Sequence, residues 1–316
     1  MGWQEAMISG AVPGGSPARS TSLERWRSLL HPRRAVARLG ARVVGRLAQS
    51  ARTRGNYEKA EELFRGALRI AERALGPTDV EVAALLNDLG VLHKDQGRFD
   101  EAESLYRRAR AILFIARGEE SLEVATLYHN LGGLEHARGR CAQGEPFARR
   151  GLEIRERALG PEHPDVAADA AALAAILDGQ DKREEAEALF RRALTVFERI
   201  YGPQHYEVAV NLNNLGALHQ AKCDAAEAER LYRRALAIKE KHLGSDHPDV
   251  AMTLNNLAVL YKSQARYAEA EPLYRRALAI FETALGPSHP KAIVCGENYL
   301  ALMREPKEAA ATPADV

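Results

Sequence analysis

The sequence predicts an all-α fold, a right-handed superhelical solenoid of six helix-turn-helix pairs with a C-terminal capping helix. The first observation behind this prediction is a period of 42 residues that runs through the chain without drift. One register of the period holds Ala60, Ala102, Gly144, Ala186, Ala228 and Ala270. The second observation is that apolar residues recur three and four positions apart within each period, as Leu254, Leu257 and Tyr261 do. Each period is therefore expected to form two amphipathic helices.

The N-terminal part of the chain is expected to lie outside the repeats. Residues 1–22 are rich in Gly, Pro and Ser and predict a disordered leader, and residues 23–39 predict a basic amphipathic segment. Residues 1–54 hold ten arginines and two glutamates, so a transit peptide or a helix on a membrane surface is an alternative. The repeat interpretation is preferred because half of this basic stretch is needed as the first helix of the stack.

The repeat region is expected to span residues 40–304, and residues 305–316 to form a disordered tail. Glycine ends each pair and is followed by proline in four of the six, and Asp or Glu before Val begins the next first helix in most repeats. The turn inside a pair carries glycine in the first three repeats but Asp181, Cys223 and Ala265 in the last three. These later turns should avoid a left-handed backbone or be slightly strained. The predicted repeats lie near residues 40–75, 82–117, 122–159, 165–201, 207–243 and 249–285, and the capping helix near 291–303.

The repeated segments resemble a known family. LNNLAVLY at 254–261 returns as LNNLGALH at 212–219 and LNDLGVLH at 86–93, and the second helix carries alanine and an aromatic residue four positions apart. This pattern looks like the tetratricopeptide repeat in a 42-residue form, similar to the repeats of kinesin light chains and their bacterial relatives. The resemblance implies a protein-binding solenoid whose first helices line a concave groove. The heptad region that links kinesin light chains to the motor has no counterpart in residues 1–39, so only the binding module is expected.

No catalytic or metal-binding motif is present, so the sequence predicts neither an enzyme nor a cofactor. His163, His205, His247 and His289 occupy one loop position in successive repeats and are expected to stabilise the turn before the acidic helix cap. The arginine pairs of the second helices each follow a glutamate by four residues, which predicts neutralised, solvated faces rather than a nucleic-acid surface.

Three widely spaced cysteines are expected to be packing substitutions in a reducing compartment. No apolar run is long enough to span a bilayer, so we expect a cytoplasmic protein that is not embedded in a membrane.

Adjacent amides within the apolar first helices are the candidate binding residues. They could bond neighbouring repeats, or they could offer a donor and an acceptor to a bound peptide. The second role is favoured because the amides are replaced by Ala171 and Ala172 in the fourth repeat. That replacement predicts a shallow apolar pocket there for an apolar or aromatic anchor. The predicted groove residues are Arg42, Arg46, Asn87, Lys94, His129, Asn130, Ala171, Asn213, Asn214, Asn255, Asn256, Lys262 and Asn298.

The preferred ligand is an extended acidic peptide, because basic residues recur along the predicted groove. Arg42, Arg46 and Arg52 fall on it in the first repeat, and Lys94, His136 and Lys262 continue it. The alternative is self-association, in which the groove receives a neighbouring protomer or the N-terminal segment of the same chain.

Overall fold

A computed structural model describes residues 32–304, and the regular structure in this range is entirely helical. The predicted leader and tail, and the part of the basic segment that precedes Pro32, lie outside the described residues. The helices are α1 (Pro32–Thr53), α2 (Tyr57–Leu75), α3 (Val80–Asp95), α4 (Phe99–Arg117), α5 (Leu122–Ala137), α6 (Cys141–Leu159), α7 (Pro164–Asp178), α8 (Arg183–Tyr201), α9 (Tyr206–Ala221), α10 (Ala225–Leu243), α11 (Pro248–Ser263), α12 (Tyr267–Leu285) and α13 (Pro290–Arg304).

The odd-numbered helices are the first helices of the repeats, and the even-numbered helices are the second. The chain divides into two compact units, whose described parts are residues 32–196 and 197–304. Within each unit, a first helix contacts its own second helix most extensively and also contacts the first helix of the next repeat. Helix α1 begins at Pro32, so residues 32–39 are part of the first repeat and not of a separate basic segment.

Small residues allow the two helices of a repeat to pack closely. One position of each first helix holds a buried alanine, and the position seven residues later holds a buried glycine or alanine. Gly216 is at the second of these positions. A Cβ atom built on Gly216 would lie 2.8 Å from two ring carbons of Tyr232, so the aromatic ring of the second helix occupies that space. In α13 the same two registers hold Ile293 and Leu300, and both of these side chains are exposed.

All six turns between the helices of a pair contain a residue with a left-handed backbone. The glycines Gly55, Gly97 and Gly139 have φ of 76°, 75° and 73°. Asp181, Cys223 and Ala265 have φ of 60°, 61° and 58° at the equivalent positions. The later turns therefore do not avoid this conformation, and the three L-residues bear the steric conflict between Cβ and the backbone.

The loop histidines are themselves the N-caps of the helices that follow them. The backbone N–H two residues later donates to Nδ1 of His163, His205, His247 and His289 at 3.1 to 3.2 Å. At the start of α3 the side chain of Asp79 accepts from the N–H of Glu81, and at the start of α5 the side chain of Ser121 accepts from the N–H of Val124. The expectation that the acidic residue is the cap was wrong for these four loops, because the imidazole nitrogen already satisfies the free N–H.

The second helices are joined by ion pairs on their outer side. Within a helix, the first arginine of each of the five pairs bonds the glutamate four residues earlier, as predicted. The second arginine reaches the preceding repeat: Arg108 bonds Glu72, Arg192 bonds Glu156, Arg234 bonds Glu198 and Arg276 bonds Glu240. Arg150 is different, since Phe114 stands where the other repeats have glutamate, and Arg150 bonds Glu120 and Glu153 instead.

Candidate functional site: the first-helix face

The amides of the first helices bond one another across successive repeats. Asn130 Nδ2 donates to Asn87 Oδ1 at 2.6 Å. Asn256 Nδ2 donates to Asn213 Oδ1, and Asn298 Nδ2 donates to Asn255 Oδ1, both at 3.3 Å. In each case the second amide of one repeat donates to the first amide of the preceding repeat. These bonds join repeats, which is the structural role that one of the two sequence interpretations assigned to the amides. In each unit, we call the surface that carries the amides of its first helices the first-helix face.

Two amide groups of this face keep an unused donor. Asn255 is 1% exposed, and no described residue accepts a hydrogen bond from its Nδ2 atom. The Nδ2 atom of Asn214 is likewise buried, with no acceptor among residues 32–304. Because a buried N–H without a partner loses its hydration, these two donors are unsatisfied among the described residues, and a water molecule or a ligand oxygen that reached them would bond to them.

A buried charged cluster underlies the first-helix face in the unit formed by residues 32–196. Asp169 of α7 lies 3.0 Å (Oδ2) from Nε of Arg155 on α6 and 2.8 Å (Oδ1) from Nδ1 of His129 on α5. Arg155 also donates to Thr126 Oγ1 at 3.0 Å. Asp169 and Arg155 are both almost completely buried. His129 therefore contacts a neighbouring repeat, where the sequence had suggested a contact with ligand.

The unit formed by residues 197–304 has a counterpart without a carboxylate at the same register positions. Lys239 Nζ donates to Thr253 Oγ1 at 3.0 Å, and Thr253 Oγ1 donates to Asn213 Oδ1 at 3.1 Å. Lys239, Thr253 and Asn213 stand two periods after Arg155, Asp169 and His129. Burial, with a smaller effect of Lys291, lowers the pKa of Lys239 to about 8, and its ammonium group bonds a hydroxyl and a backbone carbonyl.

The basic residues predicted for the groove are less available than their sequence positions suggested. Arg42 bonds Glu81 at 3.0 Å, and the buried Arg52 bonds Asp95. Burial lowers the pKa of Lys94 to about 8, and burial together with Lys94 lowers the pKa of His136 to about 4. Arg46 is exposed and has no ion pair with any described residue.

The fourth repeat is apolar where the other repeats carry amides. Ala171 and Ala172 are each 6% exposed, so the helix α7 has little free surface at the position of the predicted pocket. Lys262, near the end of α11, is half-buried.

Sequence reasoning missed Arg155, Asp169, Lys239 and Thr253, the residues that lie beneath the face. The available signal lay at two registers of the period. The register of Arg155 and Lys239 holds Ala71, Leu113, Phe197 and Phe281 in other repeats, and the register of Asp169 and Thr253 holds Leu85 and Leu127.

The sequence matches the model of the Tetratricopeptide repeat family over residues 41–113, 123–199, 173–241, 207–283 and 249–299. These segments cover most of the chain and follow the helix pairs. The chain belongs to the tetratricopeptide repeat (TPR) family. TPR proteins bind protein partners, and the family provides interaction scaffolds.

Solved structures similar to this TPR protein include one from P. vanneervenii and one from P. anserina. BtubC (BKLC) from P. vanneervenii is 28% identical, with a TM-score of 0.56 over 84% of this chain and 98% of the other. A P. anserina protein named as a kinesin light chain, with nearly identical TPR-like repeats, is 22% identical; its TM-score is 0.51 over 63% of this chain and 93% of its own. The repeats are thus of the kinesin light chain-like type.

The same fold occurs in more distant proteins. PilW, a type IV pilus biogenesis factor, is 15% identical, with a TM-score of 0.52 over 80% of this chain and 97% of its own. No curated protein sequence matches the chain. Within residues 32–304, none of the TPR helices is both long and apolar enough to cross a membrane.

Proposed function

We propose that this TPR protein is a non-catalytic adaptor or scaffold whose first-helix face binds an extended peptide of a protein partner. The observation that carries the proposal is the pair of buried donors, Asn214 Nδ2 and Asn255 Nδ2, that are left after the amides have bonded adjacent repeats. Carbonyl oxygens of a peptide backbone are suitable acceptors for both donors. Binding through the backbone tolerates differences in ligand sequence.

The spacing of the two donors suits an extended chain. Asn214 and Asn255 lie on the successive first helices α9 and α11. Packed helices are about 8 to 10 Å apart, and an extended peptide rises about 3.3 Å per residue. A peptide that crosses the first helices would therefore place a backbone carbonyl beside each helix about every third residue.

The charge of the ligand is proposed from Arg46. Arg46 is the exposed groove cation without an ion pair among the described residues, whereas Arg42 and Arg52 are neutralised by acidic residues of α3. An acidic residue of a peptide bound on the first-helix face of residues 32–196 would pair with Arg46. The attraction should be weaker than the full set of basic residues predicts, because an arginine already paired with a carboxylate adds little net charge.

An apolar or aromatic anchor is proposed for the α7 position. Ala171 and Ala172 remove both the bulk and the polarity that the amides give to the other first helices. An anchor that rests on these two methyl groups would meet no competing hydrogen-bond donor at either position. Since both alanines are largely covered, the contact would be shallow.

The test is selection from a random peptide library on the immobilised protein, followed by affinity measurements with the selected peptides. We expect acidic peptides with one apolar anchor. Asn255→Asp keeps the Oδ1 acceptor for Asn298 and removes the donor, so affinity should fall by about five- to tenfold, the net worth of one hydrogen bond. Arg46→Glu should weaken acidic peptides further, and Ala171→Leu should weaken peptides with a large anchor.

Arg275→Ala is the matched control, since Arg275 lies on a second helix and pairs there with Glu271. This variant should bind the selected peptides like the wild type. Helix content by circular dichroism shows whether each variant is folded. Peptides that bind all folded variants equally would contradict the proposal.

A further inference from the structure

Helix α1 exposes a stripe of aliphatic side chains along one side. Val36, Leu39, Val43 and Leu47 are 70%, 65%, 47% and 56% exposed. Their spacing of three, four and four residues places them in one line, over a length of about 16 Å. Four large apolar side chains in one line are more than the scattered exposure that is ordinary on protein surfaces.

The stripe lies on the side of α1 that faces the preceding repeat in later first helices. Val43 stands at the register of Leu85 in α3, and a Cβ atom built on Gly45 of α1 would lie 3.4 Å from Cδ2 of Leu85. Leu85 is buried, whereas Val43 keeps about half of its surface open because no repeat precedes α1 among residues 32–304. The stripe is therefore an end surface of the unit formed by residues 32–196.

Arginines border the stripe, and α1 contains no acidic residue. The helix holds six arginines and neither aspartate nor glutamate. Arg33, Arg42 and Arg46 each lie three residues from a residue of the stripe, and all three are exposed. Glu81 pairs with Arg42, but neither Arg33 nor Arg46 has an ion pair with a described residue. The exposed side of α1 is thus both apolar and positively charged.

We infer that the exposed side of α1 docks on the surface of a lipid bilayer that contains anionic lipids. The aliphatic stripe would enter the boundary between headgroups and acyl chains, while Arg33 and Arg46 would meet anionic headgroups. Arginine suits this position because its aliphatic stem stays with apolar surface and its guanidinium reaches the headgroups. The helix would lie in the plane of the surface. This use is compatible with its place in the first repeat, since Ala41 and Ala48 on the opposite side are fully buried.

Two other occupants fit this side of α1 less well. Pairing with α1 of a second copy would bring the arginines of both helices together, with no acidic residue in either one. Nucleic acid matches the charge, but the stripe offers no aromatic ring on which a base could stack. Fluid hydrocarbon needs no complementary shape, and valine and leucine side chains require no hydrogen bonds. An anionic bilayer therefore matches both the charge and the apolar character of the surface.

The test is co-sedimentation of the full-length protein with phosphatidylcholine vesicles that contain either no phosphatidylserine or about one-third phosphatidylserine. We expect binding to the anionic vesicles and weaker binding to the neutral ones. Most of the binding should be lost when the salt concentration is raised from about 0.1 to about 0.5 M. Leu39→Ser should weaken binding by about tenfold, because serine adds no apolar burial, and Arg33→Gln should weaken it by about fivefold.

Leu300→Ser and Arg69→Gln are the matched controls. Leu300 is a similarly exposed leucine on α13, and Arg69 is an exposed arginine of α2 without an ion pair among residues 32–304. Both variants should bind the vesicles like the wild type. Arg46 is left unchanged because it also belongs to the proposed peptide site. Leu39→Ser should still bind the selected peptides, so the two proposals can fail independently.

Three results would overturn the inference. One is a full-length protein that binds anionic vesicles no better than neutral ones. Another is vesicle binding that Leu39→Ser and Arg33→Gln leave unchanged while helix content is retained, because the contact would then lie elsewhere in the chain. The third is a dimer, seen by sedimentation without vesicles, that Leu39→Ser dissociates, which would identify a second copy of the chain as the occupant.

Discussion

At the scale of single residues, three of the turns with a left-handed backbone carry a residue other than glycine, although this conformation favours glycine. Gly97 and Ala265 occupy the same turn position in different repeats, with φ of 75° and 58°. A Cβ atom at Gly97 would touch nothing within 4 Å, and Ala265 is exposed. The two sites therefore differ in backbone preference and hardly in packing.

We predict that Ala265→Gly stabilises the protein by about 1 kcal/mol and that Gly97→Ala destabilises it by about the same amount. A left-handed L-residue is disfavoured by about 1 to 2 kcal/mol, and the greater freedom of glycine in the unfolded chain offsets part of this difference. Urea unfolding of the two variants and the wild type measures both changes. A loss of stability in Ala265→Gly would show that the turn does not strain the alanine.

The amides mark the limit of what residue patterns alone can predict. The period predicted correctly which positions carry them, and it left open whether they bond repeats or ligand. An asparagine offers the same donor and acceptor to both partners, so only the coordinates could show that Asn130, Asn256 and Asn298 donate to the preceding repeat. The unpartnered donors of Asn214 and Asn255 could not be foreseen, because they depend on which way each amide turns.

At the scale of the elements, the helix starts reveal a cap that propensity rules did not predict. Histidine is not among the preferred N-cap residues, which are Ser, Thr, Asp and Asn. It serves here because a neutral Nδ1 can accept a hydrogen bond, as the backbone N–H of Lys291 shows by donating to His289 at 3.2 Å. This mechanism requires an unprotonated Nδ1. Burial, together with Lys291, lowers the pKa of His289 and so favours the neutral ring.

We predict that His289→Ala lowers stability by about 1 kcal/mol at pH 7 and that His289→Asp restores it. Since the pKa of His289 is lower in the folded than in the unfolded chain, the unfolded chain binds the extra proton first. The contribution of the cap is therefore lost as the pH falls below about 6.5 and through the folded pKa.

The aspartate variant should keep its cap over this range and become more stable than the wild type near pH 5. Thermal unfolding at several pH values provides the measurement. Parallel loss of stability in wild type and His289→Asp between pH 7 and 5 would argue against the imidazole cap.

At the scale of the whole molecule, one set of register positions holds a buried polar network twice, with different chemistry. Arg155 has the carboxylate of Asp169 as its partner, whereas Lys239 has a hydroxyl and a backbone carbonyl. If one residue of a buried ion pair is replaced, the other remains as a buried charge without a partner. Lys239 is a buried charge without a carboxylate partner in the wild-type protein. The two sites should therefore respond in opposite directions to the same substitution.

We predict that Lys239→Met stabilises the protein by up to about 3 kcal/mol at pH 7, the equivalent of lowering a lysine pKa from 10.5 to about 8. Arg155→Met should destabilise it by about 3 kcal/mol or more, because Asp169 remains buried. The folded pKa of Lys239 lies below the unfolded one, so the unfavourable contribution is complete below pH 8 and disappears as the pH rises towards 10.5.

The advantage of Lys239→Met should shrink over that same pH range. Urea unfolding of both variants at pH 7 and 10 gives the comparison. A destabilised Lys239→Met would mean that the hydrogen bonds of the lysine outweigh the burial of its charge.

The fold could be predicted from the sequence over its whole repeat region, because a six-fold repetition averages out the irregularities of any single repeat. The buried networks could not, since each rests on polar residues at registers that are apolar in several other repeats. Asp169 illustrates this: its register is leucine in α3 and α5, and its partner Arg155 stands in another helix at a register that is usually apolar. A pattern search treats such residues as exceptions, and only their proximity in space shows that they compensate each other.

The large side chains of α13 also bear on how such an array can change its length. Arrays of this type lengthen by duplication of whole units, each of which must accept a neighbour on both sides. Ile293 and Leu300 replace the alanine and the glycine or alanine that let a second helix approach, so a new unit joined after α13 would not fit without further substitutions. A repeat inserted ahead of α13 would meet small residues at these registers and would leave α13 unchanged.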